Sequence, residues 1–126
     1  MEYLLDTHTF LWFINGDSEL SKDAKRIIEN QDLKYISIAT FWEIAIKISI
    51  GKLQIDMPFQ ELKLHVVRNG FELLPITFEH TDHLVNLAMH HKDPFDRIII
   101  AQAYCDNLTV ISRDSNFEKY KVKMSW

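Results

Sequence analysis

An α/β domain with a mostly parallel central sheet is predicted from three features of the sequence. Short apolar runs recur at Tyr3–Leu5, Tyr35–Ile38, Phe71–Leu74, Thr109–Ile111 and Val122–Met124. Longer segments with apolar residues at helical spacing separate most of them. The 126 residues, 47% hydrophobic and 25% charged, suffice for one domain, residues 1–126, with its own core. Strands that alternate with helices fold as a layered α/β domain, because parallel strands need crossover connections.

The elements follow in order. Tyr3-Leu4-Leu5 is short and continuously apolar, as a buried strand is, and ends at Asp6. Thr7 to Ile14 reads as a helix broken by Asn15-Gly16-Asp17. Ser21 is a suitable N-cap for a second helix reaching about Asn30, with Ala24, Ile27 and Ile28 on one face. After the Tyr35–Ile38 strand, Thr40 is expected to open a helix to about Ile50, stopped by Gly51. That helix is apolar nearly all round, so burial on more than one side is expected. Pro58 starts a helix ending near Gly70, and His80 to His90 forms another. Asp93-Pro94 supplies an N-cap and a proline at the first helical position, and Asn107 closes that helix.

Composition narrows the function. The net charge is −4, so a broad basic face for nucleic acid is excluded and any phosphate must meet a local cation. Cys105 is the only cysteine, which rules out an intrachain disulfide and fits a reducing cytoplasm. It falls in an apolar helical pattern and is expected to be a buried, inert thiol. Glu2 follows Met1 directly, so no signal peptide is expected, and no apolar stretch is long enough to span a membrane. The six histidines form no HExxH motif and have no cysteine partners, which argues against zinc. P-loop, GxGxxG and GxSxG motifs are absent.

Four acids stand out by position. Asp6 ends the first strand, and Asp114 follows the Thr109–Ile111 strand. Open parallel sheets place their ligand sites at such carboxyl ends. Glu43 lies inside Phe41-Trp42-Glu43-Ile44-Ala45-Ile46, where a carboxylate without a partner is costly. Asp96 is in the first turn of the Pro94 helix, where the helix dipole favours an acid. Each acid alone has a structural explanation: Asp6, Asp93 and Asp114 as caps, Glu43 in a capping box with Thr40 or an i,i+4 pair with Lys47. As a set they offer hard oxygen donors, which select Mg²⁺ or Mn²⁺ over zinc. Such an ion activates water and neutralises charge on a phosphodiester. His90-His91 reads as a solvated helix end, and Trp12, Trp42 and Phe95 read as core.

The segments LLDTH (Leu4–His8), SIATFWEIAIKISIGKL (Ser37–Leu53), DPFDRIIIAQA (Asp93–Ala103) and TVISRDSNF (Thr109–Phe117) carry a resemblance. Together they resemble the PIN-domain ribonucleases, and within them the VapC-type toxins of toxin–antitoxin pairs. The resemblance implies a three-layer α/β/α sandwich and Mg²⁺- or Mn²⁺-dependent endonucleolytic cleavage of RNA. It implies Asp6, Glu43 and Asp96 as metal ligands, with Asp114 as a more variable fourth acid. Thr7 and Arg97 match near-site positions, and Ser112 stands where the family often has Thr. A cognate antitoxin and a homodimer are further implications. Arg97, Lys47, Lys52 and Arg113 are the basic residues expected to meet the RNA backbone. Two alternatives stay open: an RNA-processing nuclease without an antitoxin, and a metal-binding module that has lost catalysis. An aspartyl phosphatase is disfavoured, since Asp6-Thr7-His8 lacks the second Asp two residues on.

Overall fold

The computed structural model describes residues Met1–Trp126. In chain order the elements are β1 (Glu2–Leu5), α1 (Thr7–Asn15), α2 (Lys22–Glu29), β2 (Leu33–Ser37) and α3 (Ile38–Ser49). A 3₁₀ turn (Phe59–Glu61), α4 (Leu62–Arg68), β3 (Glu72–Leu74) and α5 (Phe78–Val85) follow. The chain ends with α6 (Pro94–Asp106), β4 (Thr109–Ile111), α7 (Ser115–Glu118) and β5 (Met124–Ser125).

The five strands form one sheet in the order β3-β2-β1-β4-β5. Every pairing is parallel. Successive strands step outward from β1 through β2 to β3, and the chain then crosses back to lay β4 on the other side of β1. The order therefore reverses between β1 and β4, and such a switch point opens a crevice at the carboxyl ends of the strands. Register fixes its walls: Leu5 lies beside both Ile36 and Ile111.

Alternation along the strands divides the interior in two. Leu5, Ile36 and Ile111 face a core completed by Phe10, Ile28, Ile44, Leu62 and Phe71. Leu4 and Val110 face the opposite core, filled by Ile98, Ile99, Ile100, Ala101 and Phe117. Helices thus cover both faces, giving the three-layer sandwich. Gln102 is fully buried and ties the layers together. It accepts from Ser37 Oγ at 2.6 Å and donates to the Pro75 carbonyl at 3.2 Å. No helix is long and apolar enough to cross a membrane.

Several expectations are corrected. Helix α3 is capped by Ser37, whose hydroxyl accepts from the Ala39 amide, so β2 passes directly into α3 without a loop. Thr40 is therefore inside the helix and forms no capping box. The helix is buried on more than one side, with Ile44 in one core and Ala39 in the other, although Trp42 is 58% exposed. Pro58 leads first into the 3₁₀ turn, and α4 begins only at Leu62. Helix α5 starts earlier and ends earlier than the His80–His90 pattern suggests. Thr77 caps it in a box whose N3 side chain is His80 instead of the usual Glu or Gln. Residues 86–93 are then loop, helix α7 is an addition, and β5 lies later than Val122–Met124. Cys105 is exposed, near the end of α6, and is not a core thiol.

The two sides of these helices should differ sharply on truncation. Ile99→Ala, at a fully buried position, should lower the unfolding free energy by about 2–5 kcal/mol. Ile50→Ala, at the exposed end of α3, should change it by less than about 0.5 kcal/mol. Urea denaturation followed by circular dichroism measures both.

Candidate functional site

Asp6 sits at the switch point, where β1 ends and α1 begins. It is 5% exposed. Its Oδ1 accepts from the Thr9 amide at 2.9 Å, so the capping role holds. Its Oδ2 accepts from Ser112 Oγ at 2.5 Å, across the β1–β4 boundary. Burial pushes the Asp6 carboxyl above its usual range, against the opposing pull of the Ser112 and Thr9 hydrogen bonds.

Ser112 links two of the acids. Its buried hydroxyl donates to Asp6 and accepts from the Asp114 amide at 3.0 Å. Asp114 in turn caps α7, accepting from the Asn116 amide at 2.9 Å. Thr7 Oγ1 lies 3.1 Å from Thr40 Oγ1 and pins the start of α1 to α3. These short links between elements explain why hydroxyl residues surround the carboxylates.

Glu43 comes in from α3 and is 4% exposed. Its Oε2 accepts from Lys47 Nζ at 2.7 Å, so the i,i+4 partner is realised. Its Oε1 is buried with no hydrogen-bond partner among the protein's own atoms. A charged oxygen left in that state is penalised by more than the roughly 1–3 kcal/mol of a neutral group.

Asp96 comes from the first turn of α6, which Asp93 caps by accepting from the Phe95 and Asp96 amides at 2.9 and 3.0 Å. Its carboxyl is pushed up to about 8, first by burial and then by the negative charges of Asp93, Asp6, Asp114 and Glu43. Elements far apart in sequence thus bring Asp6, Glu43 and Asp114 within electrostatic reach of Asp96. The cluster is open, in that no three acidic or histidine side chains already stand as a closed ligand shell. The donor set nevertheless fits a hard divalent cation, which would satisfy Glu43 Oε1 and relieve the repulsion on Asp96.

Beside Asp6 and Asp114 a cleft of about 280 Å³ is lined by His8, Trp12 and Arg113. The Arg113 guanidinium lies over the Trp12 ring at 4.5 Å and pairs with Glu19 at 2.5 Å. Exposed His8 stacks on Trp12 at 5.7 Å.

Four sequence expectations change. Arg97 is buried, and its guanidinium donates to the Ala88 and Leu87 carbonyls and to the Tyr120 hydroxyl. It holds the loop before α6 and presents nothing to a phosphate. Lys47 is engaged by Glu43. Trp42 is a surface residue set edge-on to half-buried Phe95 at 5.2 Å, and Trp12 is only half-buried, so these aromatics are not closed core. His91 is not a solvated helix end: its Nε2 lies 3.1 Å from Asp96 Oδ2. Proximity of His91 to Asp96 in sequence was an available signal for that contact. Nothing local signalled Tyr120, which closes the same group from a distant segment.

A family model described as PIN domain matches residues 3–123. Among curated proteins, none matches the chain. Among solved structures, a similar chain belongs to VapBC2 from Rickettsia felis bound to a DNA fragment from their promoter. The TM-score is 0.74 at 16% identity, over 99% of this chain and 98% of that one. VapBC-1 from nontypeable Haemophilus influenzae gives 0.74 at 16% identity over 99% and 97%. A toxin–antitoxin complex from Klebsiella pneumoniae gives 0.61 at 20% identity over 90% and 87%.

The raised carboxyls set the pH response of the metal-free chain. An acid with a raised pKa keeps its proton in the folded state after the unfolded state has released it. Stability then falls as pH rises through that window. For Asp96 the window runs from the ordinary 3.8 to about 8. In EDTA, Asp96→Asn should therefore melt higher than the native chain at pH 8, with the difference shrinking towards pH 4. Equal melting profiles across that range would remove the electrostatic description of the cluster.

Proposed function

The chain belongs to the PIN-domain family, and from that premise we propose that it is a metal-dependent endoribonuclease acting as the toxin of a toxin–antitoxin pair. The observation that carries the metal-centred reading is Glu43 Oε1, buried without a protein partner in a cluster where Asp6, Asp114 and Glu43 help to push the Asp96 carboxyl up. Asp6, Glu43 and Asp96 would hold Mg²⁺ or Mn²⁺, and Asp114 would assist from the end of β4. Such an ion, when bound, activates a water and neutralises phosphodiester charge during in-line attack.

The protein's own residues arrange that chemistry. Ser112 fixes Asp6 from the neighbouring strand, and Lys47 balances one oxygen of Glu43. Arg113 stands at the mouth of the cleft, steadied by Trp12 and Glu19, and is the cation best placed for a backbone phosphate. Exposed Lys52 is the second. Arg97 drops out of that role because it is buried and engaged inside the protein, whereas Lys47 pairs with Glu43 but keeps 40% of its side chain exposed.

An antitoxin partner is supported by the solved relatives, described as VapBC and as a toxin–antitoxin complex. A positively charged side chain from such a partner, placed among the acids, would compete with the metal and silence the site. A homodimer working in the cytoplasm completes the proposal, where the exposed Cys105 thiol would stay reduced.

Cleavage of a labelled pool of structured RNAs tests the nuclease. With Mn²⁺ or Mg²⁺ the purified chain should cut, and EDTA should abolish cutting. Asp96→Asn and Glu43→Gln should each lose it while keeping a cooperative thermal transition. Cutting that survives EDTA, or survives both substitutions, would contradict the assignment.

A further inference from the structure

The loop between α5 and α6, residues 86–93, has no secondary structure of its own after the turn that closes α5. It is nevertheless tied down from beneath at several points. Arg97, one turn into α6, donates to the carbonyls of Leu87 and Ala88 at 3.3 and 2.9 Å. Tyr120, 5% exposed and just past α7, takes hold of His91. The His91 amide lies 3.1 Å from the Tyr120 hydroxyl, and its ring Nδ1 lies 2.8 Å from the same oxygen. The Tyr120 ring is itself clamped, with its carbonyl accepting from the Tyr104 hydroxyl and Arg97 lying 5.9 Å from its centroid.

Counting donors and acceptors around that hydroxyl fixes the histidine tautomer. A phenol offers one hydrogen and two lone pairs. The lone pairs of Tyr120 accept from Arg97 Nη1 at 3.0 Å and from the His91 amide at 3.1 Å. Its one hydrogen then goes to the nearer of two acceptors, His91 Nδ1 at 2.8 Å over the His91 carbonyl at 3.4 Å. With Nδ1 accepting, neutral His91 carries its own hydrogen on Nε2. That nitrogen faces Asp96 Oδ2 at 3.1 Å.

We propose that His91, oriented by the Tyr120 hydroxyl, is a positioning residue that donates from Nε2 to Asp96 Oδ2 and fixes the carboxylate for cation binding. The proposal rests on the acid-centre reading above. The hydrogen bond occupies Oδ2 and leaves Oδ1 for the metal. It also sets the plane of the carboxylate, which backbone capping by Asp93 cannot do. Donors behind ligating carboxylates act this way generally, and their removal weakens metal binding by about 10- to 100-fold. Arg97 belongs to the same arrangement one step further back, since it anchors both the loop and the phenol.

Mn²⁺ titration by calorimetry tests this with a readout other than activity, on the native chain, His91→Ala, His91→Gln, Tyr120→Phe and Asp96→Asn. Thermal melts in EDTA establish which variants fold. His91→Ala should bind Mn²⁺ about 10- to 100-fold more weakly. His91→Gln, whose amide nitrogen can stand where Nε2 stands, should recover most of the affinity. Tyr120→Phe keeps the ring but frees the tautomer, and should fall between them. RNA cleavage by folded His91→Ala should return as Mn²⁺ is raised to saturation. If His91→Ala does not fold, the contrast between His91→Gln and Tyr120→Phe decides. Native affinity in His91→Ala, or in Tyr120→Phe when that contrast decides, would overturn the positioning role while leaving the acid centre intact. A native chain that binds no Mn²⁺ would overturn the acid-centre reading itself, and this proposal with it.

Discussion

Glu43 is charged, enclosed and satisfied on only one of its two oxygens. A chain under no functional constraint would have little reason to keep it, since an apolar residue of similar size at that position would be at least as stable. Around this group the site is built from parts that already have structural work. Asp6 caps α1, Asp114 caps α7, and Asp93 caps α6 so that Asp96 falls in its first turn. Capping directs each helix N-terminus at the same edge of the sheet, and the helix dipoles offset part of the negative charge gathered there. Burial first, and then the leftover charge, raises Asp96.

Topology brings these parts together. The reversal of strand order between β1 and β4 opens the crevice, and Ser112 spans it by bonding Asp6 from the neighbouring strand. The direct passage from β2 into α3 swings Glu43 towards the same edge, with Ser37 tied to Gln102 behind it. The two cores on either face of the sheet fix these elements, so the acids cannot spread apart to escape one another. Dense packing is therefore what keeps an electrostatically unfavourable cluster in place.

Much of this was legible from the sequence where local rules govern. The strands at Tyr3–Leu5 and Thr109–Ile111 are continuous apolar runs, and the Asp93-Pro94 start of α6 follows from capping chemistry. The same rules put three acids at strand ends or helix starts, and its apolar neighbours mark out Glu43. What failed depends on contacts made across the fold. Ser37 displaced Thr40 as the cap because the strand ends in a buried hydroxyl that Gln102 also needs. Arg97 reads as a surface cation beside an acid, yet folds inward onto carbonyls of the preceding loop. His91 reads as solvent-facing until Tyr120 is brought to it by β4 and α7. Trp42 reads as core because periodicity gives the apolar character of a helix and not which side is covered.

The central claim is that the acids, with the unpartnered oxygen of Glu43 among them, form a single divalent-cation site. A crystal of the native chain soaked in Mn²⁺ tests it most directly, through the anomalous signal of the ion. The account predicts one strong peak with Asp6, Asp96 and Oε1 of Glu43 all in its coordination shell. A strong peak elsewhere on the protein, or one at Asp6 and Asp96 with Glu43 Oε1 still buried and unligated, would contradict it.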